Sequence, residues 1–288
     1  MKTTLKTIVA VILMAMSIMP ALAQERNCIY SVKVNDLEYA VPKQKQSAGA
    51  VIGTVLGALA GESSNSENAH RAPAVSAMVR TAFSDVRRLA SVTDGAEAQF
   101  ELKGAITSIV CHTSSHTHEY KDSKGKVRKE LVNSYEASIG VTLILTDLAS
   151  VQQWTNSFSA NTSWYEDPAS EADAFEKALR KLGGNVAKTY NRMFPLVAYI
   201  VEAGEVKKDK QKDVYIDLGQ ANGIYKGLHF EVSEVITIAD RESRKRIGRL
   251  KVEETMGDDI SRCKVEKGAK EIKTAIEEGK TLLVVSVD

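Results

Sequence analysis

Five residues able to ligate a metal crowd into nine positions: Cys111, His112, His116, His118 and Glu119. Imidazole and thiolate suit zinc or copper. Side chains alternate along an extended strand, so His112, His116 and His118 would share one face. These three are the candidate ligands. The plainer reading is a polar hairpin tip, with the histidines solvated and Cys111 buried or disulfide-bonded. Lys121, Lys124 and Lys126 stand nearby and repel a cation. A metal also needs its ligands held in fixed geometry. On balance the sequence assigns no metal and no cofactor.

Other chemistry would show itself as a motif. The sequence holds no GxSxG, HExxH, phosphate loop, GxGxxG or CxxC. Each of those patterns carries a mechanism, and their joint absence argues against the commoner enzyme classes. Carboxylates are plentiful, but spacing singles out no pair. The expectation is a protein that is not an enzyme, with no catalytic residue to name.

The chain opens MKTTLKTIVAVILMAMSIMPALAQ. Lys2 and Lys6 form a basic start, Thr7 to Met19 an apolar run, and Ala21-Leu22-Ala23 a small-x-small cleavage site. This is the pattern of a cleaved secretory leader, residues 1–23. A retained anchor helix is the rival. The residues before Cys28 are Glu25-Arg26-Asn27, which do not make a lipidation box. An exported chain meets an oxidising compartment. The three cysteines, Cys28, Cys111 and Cys263, then suggest one disulfide and one spare thiol, with Cys28–Cys111 the expected pair and three buried thiols the alternative. The formal charge is +1 over the whole chain. Acids and bases are balanced, and nothing in that balance gives the basic face that nucleic acid requires.

A second pattern concerns contact rather than catalysis. In Gln46-SAGAVIGTVLGALAG-Glu62, the residues Gly49, Gly53, Gly57 and Gly61 fall four apart. That spacing sets them on one stripe of a helix, where another backbone can approach closely. A helix over residues 48–60 is about 20 Å long, against about 30 Å of bilayer core. One copy is too short to span unaided. It packs on its own domain, or residues 47–61 serve self-association or membrane contact. Trp164-Tyr165 is a candidate surface pair or half-buried packing. Arg241-ESRKR-Arg246 reads as a solvated hairpin tip, or as a contact for anionic lipid or glycan.

The elements that must position these residues follow from periodicity. Ile29 to Asn35 reads as a strand. Pro73 opens a helix whose apolar face is Val75, Met78, Val79, Ala82, Phe83 and Val86. Leu89 to Val92 is a short strand, and Gln99 to Val110 a longer one in which Gly104 marks a bulge or close packing. Tyr135 to Leu145 alternates strictly and forms a hairpin with Gln152 to Ala160. Asp167-Pro168 suits a helix start, and Phe175, Ala178, Leu179, Leu182, Val186 and Tyr190 give that helix its stripe. Close packing is expected at Gly183-Gly184. Leu196 to Glu202 reads as the strand closing the first domain. After a charged link come five short strands punctuated by Gly219, Gly223, Gly227, Gly248 and Gly257, the signature of a small β-barrel.

Two blocks carry resemblances. Gln99-FELKGAITSIV-Val110, Glu136-ASIGVTLILTDLASVQQWTNSFSANTS-Ser163 and the helix 174–193, in that order, resemble the periplasmic domain shared by the curli-secretion protein CsgG, the penicillin-binding-protein activator LpoB and the amino-terminal domain of TolB. Asp213-VYIDLGQANGIYKGLHFEV-Val232 and Ile247-GRLKV-Val252 are similar to the carboxy-terminal β-domain of the flagellar protein FlgT, through Leu218, Gly219, Gly223, Ile224, Gly227, Phe230 and Val232. The resemblances imply an α+β fold, an α/β sandwich of the anticodon-binding-domain-like kind, followed by a small all-β barrel. They imply a domain at 24–203 bearing the glycine segment 46–62, then a β-domain at 204–288. They also imply a non-enzymatic scaffold, adaptor or modulator of a cell-envelope assembly, periplasmic and associated with the outer membrane. Its partners would be envelope proteins or further copies of itself.

The departures limit what is carried over. The curli channel has transmembrane hairpins where this chain has Ser114-SHTHEYKDSKGKVRKE-Glu130, which is too polar for lipid, and Trp164-YEDPAS-Ser170, which is too short. The channel function is therefore not carried over. The alternative in a different class is an oligomeric outer-membrane-associated pore or secretion component built on the glycine stripe.

Overall fold

The computed structural model describes residues 27–39, 66–92, 96–121, 123, 125–162 and 166–287. The leader, the glycine stripe of Gly49, Gly53, Gly57 and Gly61, and Trp164-Tyr165 lie outside the described residues. The fold mixes α and β, with strand outweighing helix. The described chain divides into one unit of residues 30–189 and another made of 27–29 with 190–287.

The first unit is a six-stranded sheet with helices. Strand β1 (Tyr30–Val34) lies between β3 (Leu89–Ser91) and β4 (Phe100–Lys121), parallel to both. The two-residue β2 (Glu38–Tyr39) continues beside β4. Then β4, β5 (Val127–Asp147) and β6 (Gln153–Asn161) form an antiparallel meander. The alternation of β5 has its physical counterpart in burial. Ala137, Ile139, Val141, Leu143 and Leu145 are all buried, and face the same side as Leu102, Ile106 and Ile109 of β4. Gly104 is a close-packing position: a Cβ there would lie 2.5 Å from the Thr142 carbonyl oxygen. The bulge falls two residues later, between Ile106 and Ser108.

Two helices belong to this unit. Helix α1 (Ala72–Ser84) starts with Pro in its first turn and buries Val75, Val79, Ala82 and Phe83. Helix α2 (Glu171–Met193) buries Ala174, Ala178, Leu182 and Val186. Its start differs from the sequence reading. Ser170 Oγ accepts the Asp173 N–H, and the Asp173 carboxylate accepts the Ala169 N–H. Asp167 instead sits at φ 40° in the left-handed region, so the cap is Ser170. Close packing occurs at Gly183 alone, where a Cβ would come 2.6 Å from Met78 Sδ; at Gly184 nothing lies within 4 Å.

The second unit is a closed six-stranded barrel. Its order is β10 (Asp213–Ile216), β13 (Ser261–Lys267), β12 (Arg241–Thr255), β11 (His229–Ile238), β14 (Leu282–Val287), β7 (Val197–Ala203), with β7 closing onto β10. Its core is Leu196, Val214, Ile216, Leu218, Phe230, Val232, Leu250, Val252, Cys263 and Val284. Two differences from the sequence reading appear here. The strand expected to close the first domain, β7, pairs with β10 and β14 and belongs to the barrel. The expected all-β domain contains a helix, α3 (Ala269–Glu277), which packs Ile272 and Ala275 into the barrel core. A small ribbon, β8 (Val206–Lys207) with β9 (Lys210–Gln211), fills the charged link.

The glycine pattern from Leu218 to Val232 has a steric cause. A Cβ on Gly219 would lie 2.5 Å from the backbone of Gly257, Asp258 and Asp259. Gly223 and Gly227 hold φ of 70° and 102°, which L side chains rarely adopt. Leu218, Ile224, Leu228, Phe230 and Val232 are the buried apolar residues of the stretch.

Candidate functional site

The Cys-His cluster is drawn out along β4. Cys111 faces Ala137 across the ladder, and His112 faces Glu136 on the opposite side of the ribbon. His116 and His118 follow on the face of His112, opposite Val132 and Glu130. His112 and His118 are six residues apart on one strand, about 20 Å, so the three imidazoles cannot close on one ion. Glu119 points to the other face and pairs with Lys129 at 2.5 Å. His118 stacks on Tyr120, centroids 6.0 Å apart. Among the described residues, no three His, Cys, Asp or Glu gather to hold a metal. The structure brings together only neighbours that pairing dictates.

It does reveal where these residues stand. β1 and β2 cover β4 only as far as Ile106, and β6 covers β5 only as far as Ser138. Beyond that, among the described residues, Cys111–Lys121 and Val127–Ala137 have each other as their strand partners through eleven consecutive register pairs, with Thr162 bonded to Ala137 at the base. At about 3.4 Å per residue, this two-stranded arm is about 35 Å long. The polar connection expected from Ser114 to Glu130 is strand for most of its length: Ser114–Lys121 continues β4 and Val127–Glu130 opens β5. Thr117, Tyr120 and Val127 suit an extended backbone, but they are scattered among Lys, Ser and His, so composition did not disclose the pairing.

The arm has two unlike faces. One continues the core face of the sheet and carries Tyr135, Leu131 and Val127 among Asn133, Lys129 and Glu119. Leu131 is 69% exposed and Val127 52%. The other carries His112, His116, His118 and Tyr120. The alternation is too polar for lipid on either side.

The arm is anchored at its base by residues that sequence reading missed. Arg71 meets Glu171 at 2.6 Å and lies over the Phe175 ring at 4.9 Å. Asn68 Nδ2 donates to the Ile109 carbonyl at 3.3 Å. These contacts tie the turn before α1 and the first turn of α2 to β4 where the arm begins. The same ion pair sits beside Cys111. Burial pushes that thiol up, Arg71 opposes this, and Glu171 adds to it. No local signal could have found Arg71 and Glu171, since a hundred residues separate them.

The expected Cys28–Cys111 disulfide is not formed. The two belong to different units, Cys28 to the stretch that joins the barrel and Cys111 to the sheet. Cys28 is exposed, and its neighbour Asn27 exchanges two hydrogen bonds with the Val197 backbone, both at 2.8 Å. Cys263 is buried in the barrel, where burial pushes its thiol up to about 12, with the Glu253 charge adding to the effect.

Among the described residues, clefts open on the barrel. One, of about 480 Å³, is lined by Arg192, Pro195, Glu231, Arg249 and residues 285–287. Another, of about 320 Å³, lies between residues 199–203 and residues 276 and 279–282. In the first, the charges are engaged side by side: Arg246 with Glu231 at 3.0 Å, Arg249 with Glu266 at 3.8 Å. In the second, Lys280 meets Glu234 and Glu278, both at 2.8 Å, and these partners hold its ammonium charged. The Arg241–Arg246 run is the tip of the β11–β12 hairpin, turned by Ala239 and Asp240 at φ 49° and 60°. No described helix is long and apolar enough to cross a membrane.

No family model and no curated protein matches the chain. Among solved structures, the hypothetical protein CT253 from Chlamydia trachomatis is similar at a TM-score of 0.30 and 10% identity, over 57% of this chain and 97% of that one. A likeness at that level carries no argument here.

Proposed function

We propose that the protein is an exported, non-enzymatic component of the cell envelope that acts as a scaffold, adaptor or modulator of an assembly, and that the β4–β5 arm is its contact element. The observation that carries this reading is the arm itself. A two-stranded ribbon is marginal in water without a third strand or a packed face, and among the described residues no third strand pairs with this one over Cys111–Lys121 or Val127–Glu136. Exposed strand edges are templates for pairing with another chain. The leader pattern at 1–23 supports export. The order of sheet unit and barrel unit supports the finer reading, a CsgG/LpoB/TolB-like α+β sandwich followed by a FlgT-like β-domain.

A second reading is favoured by the spacing of Gly49, Gly53, Gly57 and Gly61. In it the protein is an oligomeric, outer-membrane-associated component that uses residues 47–61 as an association or membrane surface.

Fractionation of cells producing the full chain tests both. The proposal expects a processed protein with Gln24 at its amino terminus in the periplasmic or envelope fraction. It also expects crosslinked complexes that vanish when 114–134 is replaced by a short Asn-Gly turn. An unprocessed cytoplasmic protein would overturn export. Complexes that survive loss of the arm but vanish with Gly53→Leu and Gly57→Leu would move the contact to the glycine stripe.

A further inference from the structure

We infer that the outer edge of β5, Lys129–Tyr135, pairs antiparallel with the same edge of a second copy of this chain around a two-fold axis through Val132. The inference deepens the reading of the arm as a contact element, and rests on it, by naming the partner as the chain itself.

The direction of the backbone groups fixes which residues can pair. The Ala137 N–H donates to Thr162 Oγ1 at 2.8 Å, and the Ala137 carbonyl accepts the Thr162 N–H at 3.0 Å. Ala137 therefore aims its backbone groups away from β4, toward the β6 side. Backbone direction alternates along a strand. Tyr135, Asn133, Leu131 and Lys129 aim the same way, and among the described residues no strand lies across from them. Four consecutive outward-facing residues give an antiparallel partner a ladder of four hydrogen-bonded pairs: Tyr135 with Lys129 of the second copy, Asn133 with its Leu131, and the two reciprocal pairs.

The side chains select this register. With Val132 opposite Val132, Arg128 stands opposite Glu136 at both ends of the ladder, and Glu130 stands opposite Ser134. Opposite charges directly across a sheet stabilise it and like charges destabilise it. A shift by one residue pair toward the base sets Glu130 opposite Glu136, twice. A shift toward the tip sets Arg128 opposite Ser134 and Glu130 opposite Val132, and moves the remaining charge pair, Glu136 with Lys126, outside the strand that begins at Val127. The guanidinium has five donors, so a bond within its own arm leaves donors for a carboxylate across the axis. The central pairing also places Leu131, which is 69% exposed in the single chain, beside its symmetry mate's Asn133 on a four-stranded ribbon.

The β4 edge is a poorer template. Over Cys111–Lys121 its only charges are Glu119 and Lys121, both near the tip. No two-fold register within the strand joins them except one centred on Tyr120, which pairs a few residues alone. The isologous contact closes on itself, so it yields a dimer and not a filament.

The test uses the processed full chain with Cys28→Ser, so that the exposed thiol does not contribute. Val132→Cys is added, and separately Leu131→Cys. Opposed Val132 residues form a non-hydrogen-bonded pair with Cα atoms about 4.5 Å apart, within reach of a disulfide. Mild oxidation is expected to give a covalent dimer from Val132→Cys and none from Leu131→Cys, whose opposite residue is Asn133. Sedimentation equilibrium of the uncrosslinked chain is expected to show a dimer. Arg128→Glu should raise its dissociation constant at least tenfold, and Arg128→Glu with Glu136→Arg should restore it. Circular dichroism must report unchanged fold in each variant.

A monomer at every concentration would overturn the inference. So would a dimer indifferent to these charge reversals, or equal crosslinking at positions 131 and 132. If the dimer is absent but arm-dependent complexes with other envelope proteins persist in fractionation, self-pairing fails and the adaptor reading stands. If both are lost, the arm is not a contact element.

Discussion

At the scale of single residues, chemistry here follows direction more than proximity. Cys111 and His112 are neighbours in sequence yet face opposite sides of a ribbon, and so cannot act on one ion. Cys263 is the clearest case of environment setting behaviour. Its thiol is enclosed by the barrel core and pushed up to about 12. The thiolate is the reactive form, so Cys263 should stay unlabelled by a water-soluble maleimide at pH 8 while exposed Cys28 reacts. It should label only on unfolding in urea, as a mass-spectrometric time course would show. The linkage has a definite sign. Below about pH 9, the ordinary value for a thiol, both folded and unfolded chains keep the proton. Above it the unfolded chain ionises first. Stability of the barrel unit therefore falls as pH rises from about 9 toward 12. Cys263→Ala should remove that part of the alkaline slope in calorimetry.

At the scale of elements, much was legible in the sequence wherever one face is buried and the other wet. The β5 alternation, the stripe of α1 and the inner stretches of β11 to β13 show that pattern, with Phe230, Val232, Leu250, Val252, Cys263 and Val265 on the buried side; β14 instead buries Leu282, Leu283 and Val284 in a row and was marked by its apolar run. Legibility failed where the pattern was absent. The arm is wet on both faces, so no alternation marked it as strand. Helix α3 is nine residues long, and its Ile272, Ala275 and Ile276 do sit at helical spacing. A run of strands on either side hid that short signal. The start of α2 was misplaced because Asp167-Pro168 has the right composition but the wrong backbone. Close packing at Gly183-Gly184 was half right, and the difference can be measured. Gly184 is exposed in mid-helix with nothing near a would-be Cβ. Gly184→Ala should stabilise the sheet unit by about 0.5–1 kcal/mol, through a less flexible unfolded chain and better helix propensity. A rise in its urea midpoint would show this. Gly183→Leu should lower it, since Met78 Sδ occupies that space.

At the scale of the whole molecule, the two units are interleaved in sequence. Residues 27–29 belong with the barrel, and residues from Tyr30 belong with the sheet. The link is specific: Asn27 is 5% exposed, donates to the Val197 carbonyl and accepts the Val197 N–H. It satisfies the backbone of β7 below the point where β10 pairs with it. Asn27→Ala should lower the thermal midpoint of the barrel unit. The loss is about 1–3 kcal/mol, the cost of leaving buried backbone groups without partners. The sheet unit should be unaffected. Calorimetry of the full chain, with the units followed separately by hydrogen exchange at β5 and β14, would read both. Equal loss in both units would place the effect elsewhere. Sequence offered no hint of this tie, because a lone Asn after the leader has no pattern to belong to.

The position of β14 in the barrel has a consequence in time. It pairs with β11 on one side and β7 on the other, and it is the last strand of the barrel to leave the ribosome. Residues 30–189 can complete their sheet as soon as they emerge. The barrel cannot: until β14 arrives, both β7 and β11 wait with an unfilled edge. For that interval the nascent chain offers two adhesive strands of its own making. A holdase or the export machinery would have most to shield until β14 emerges.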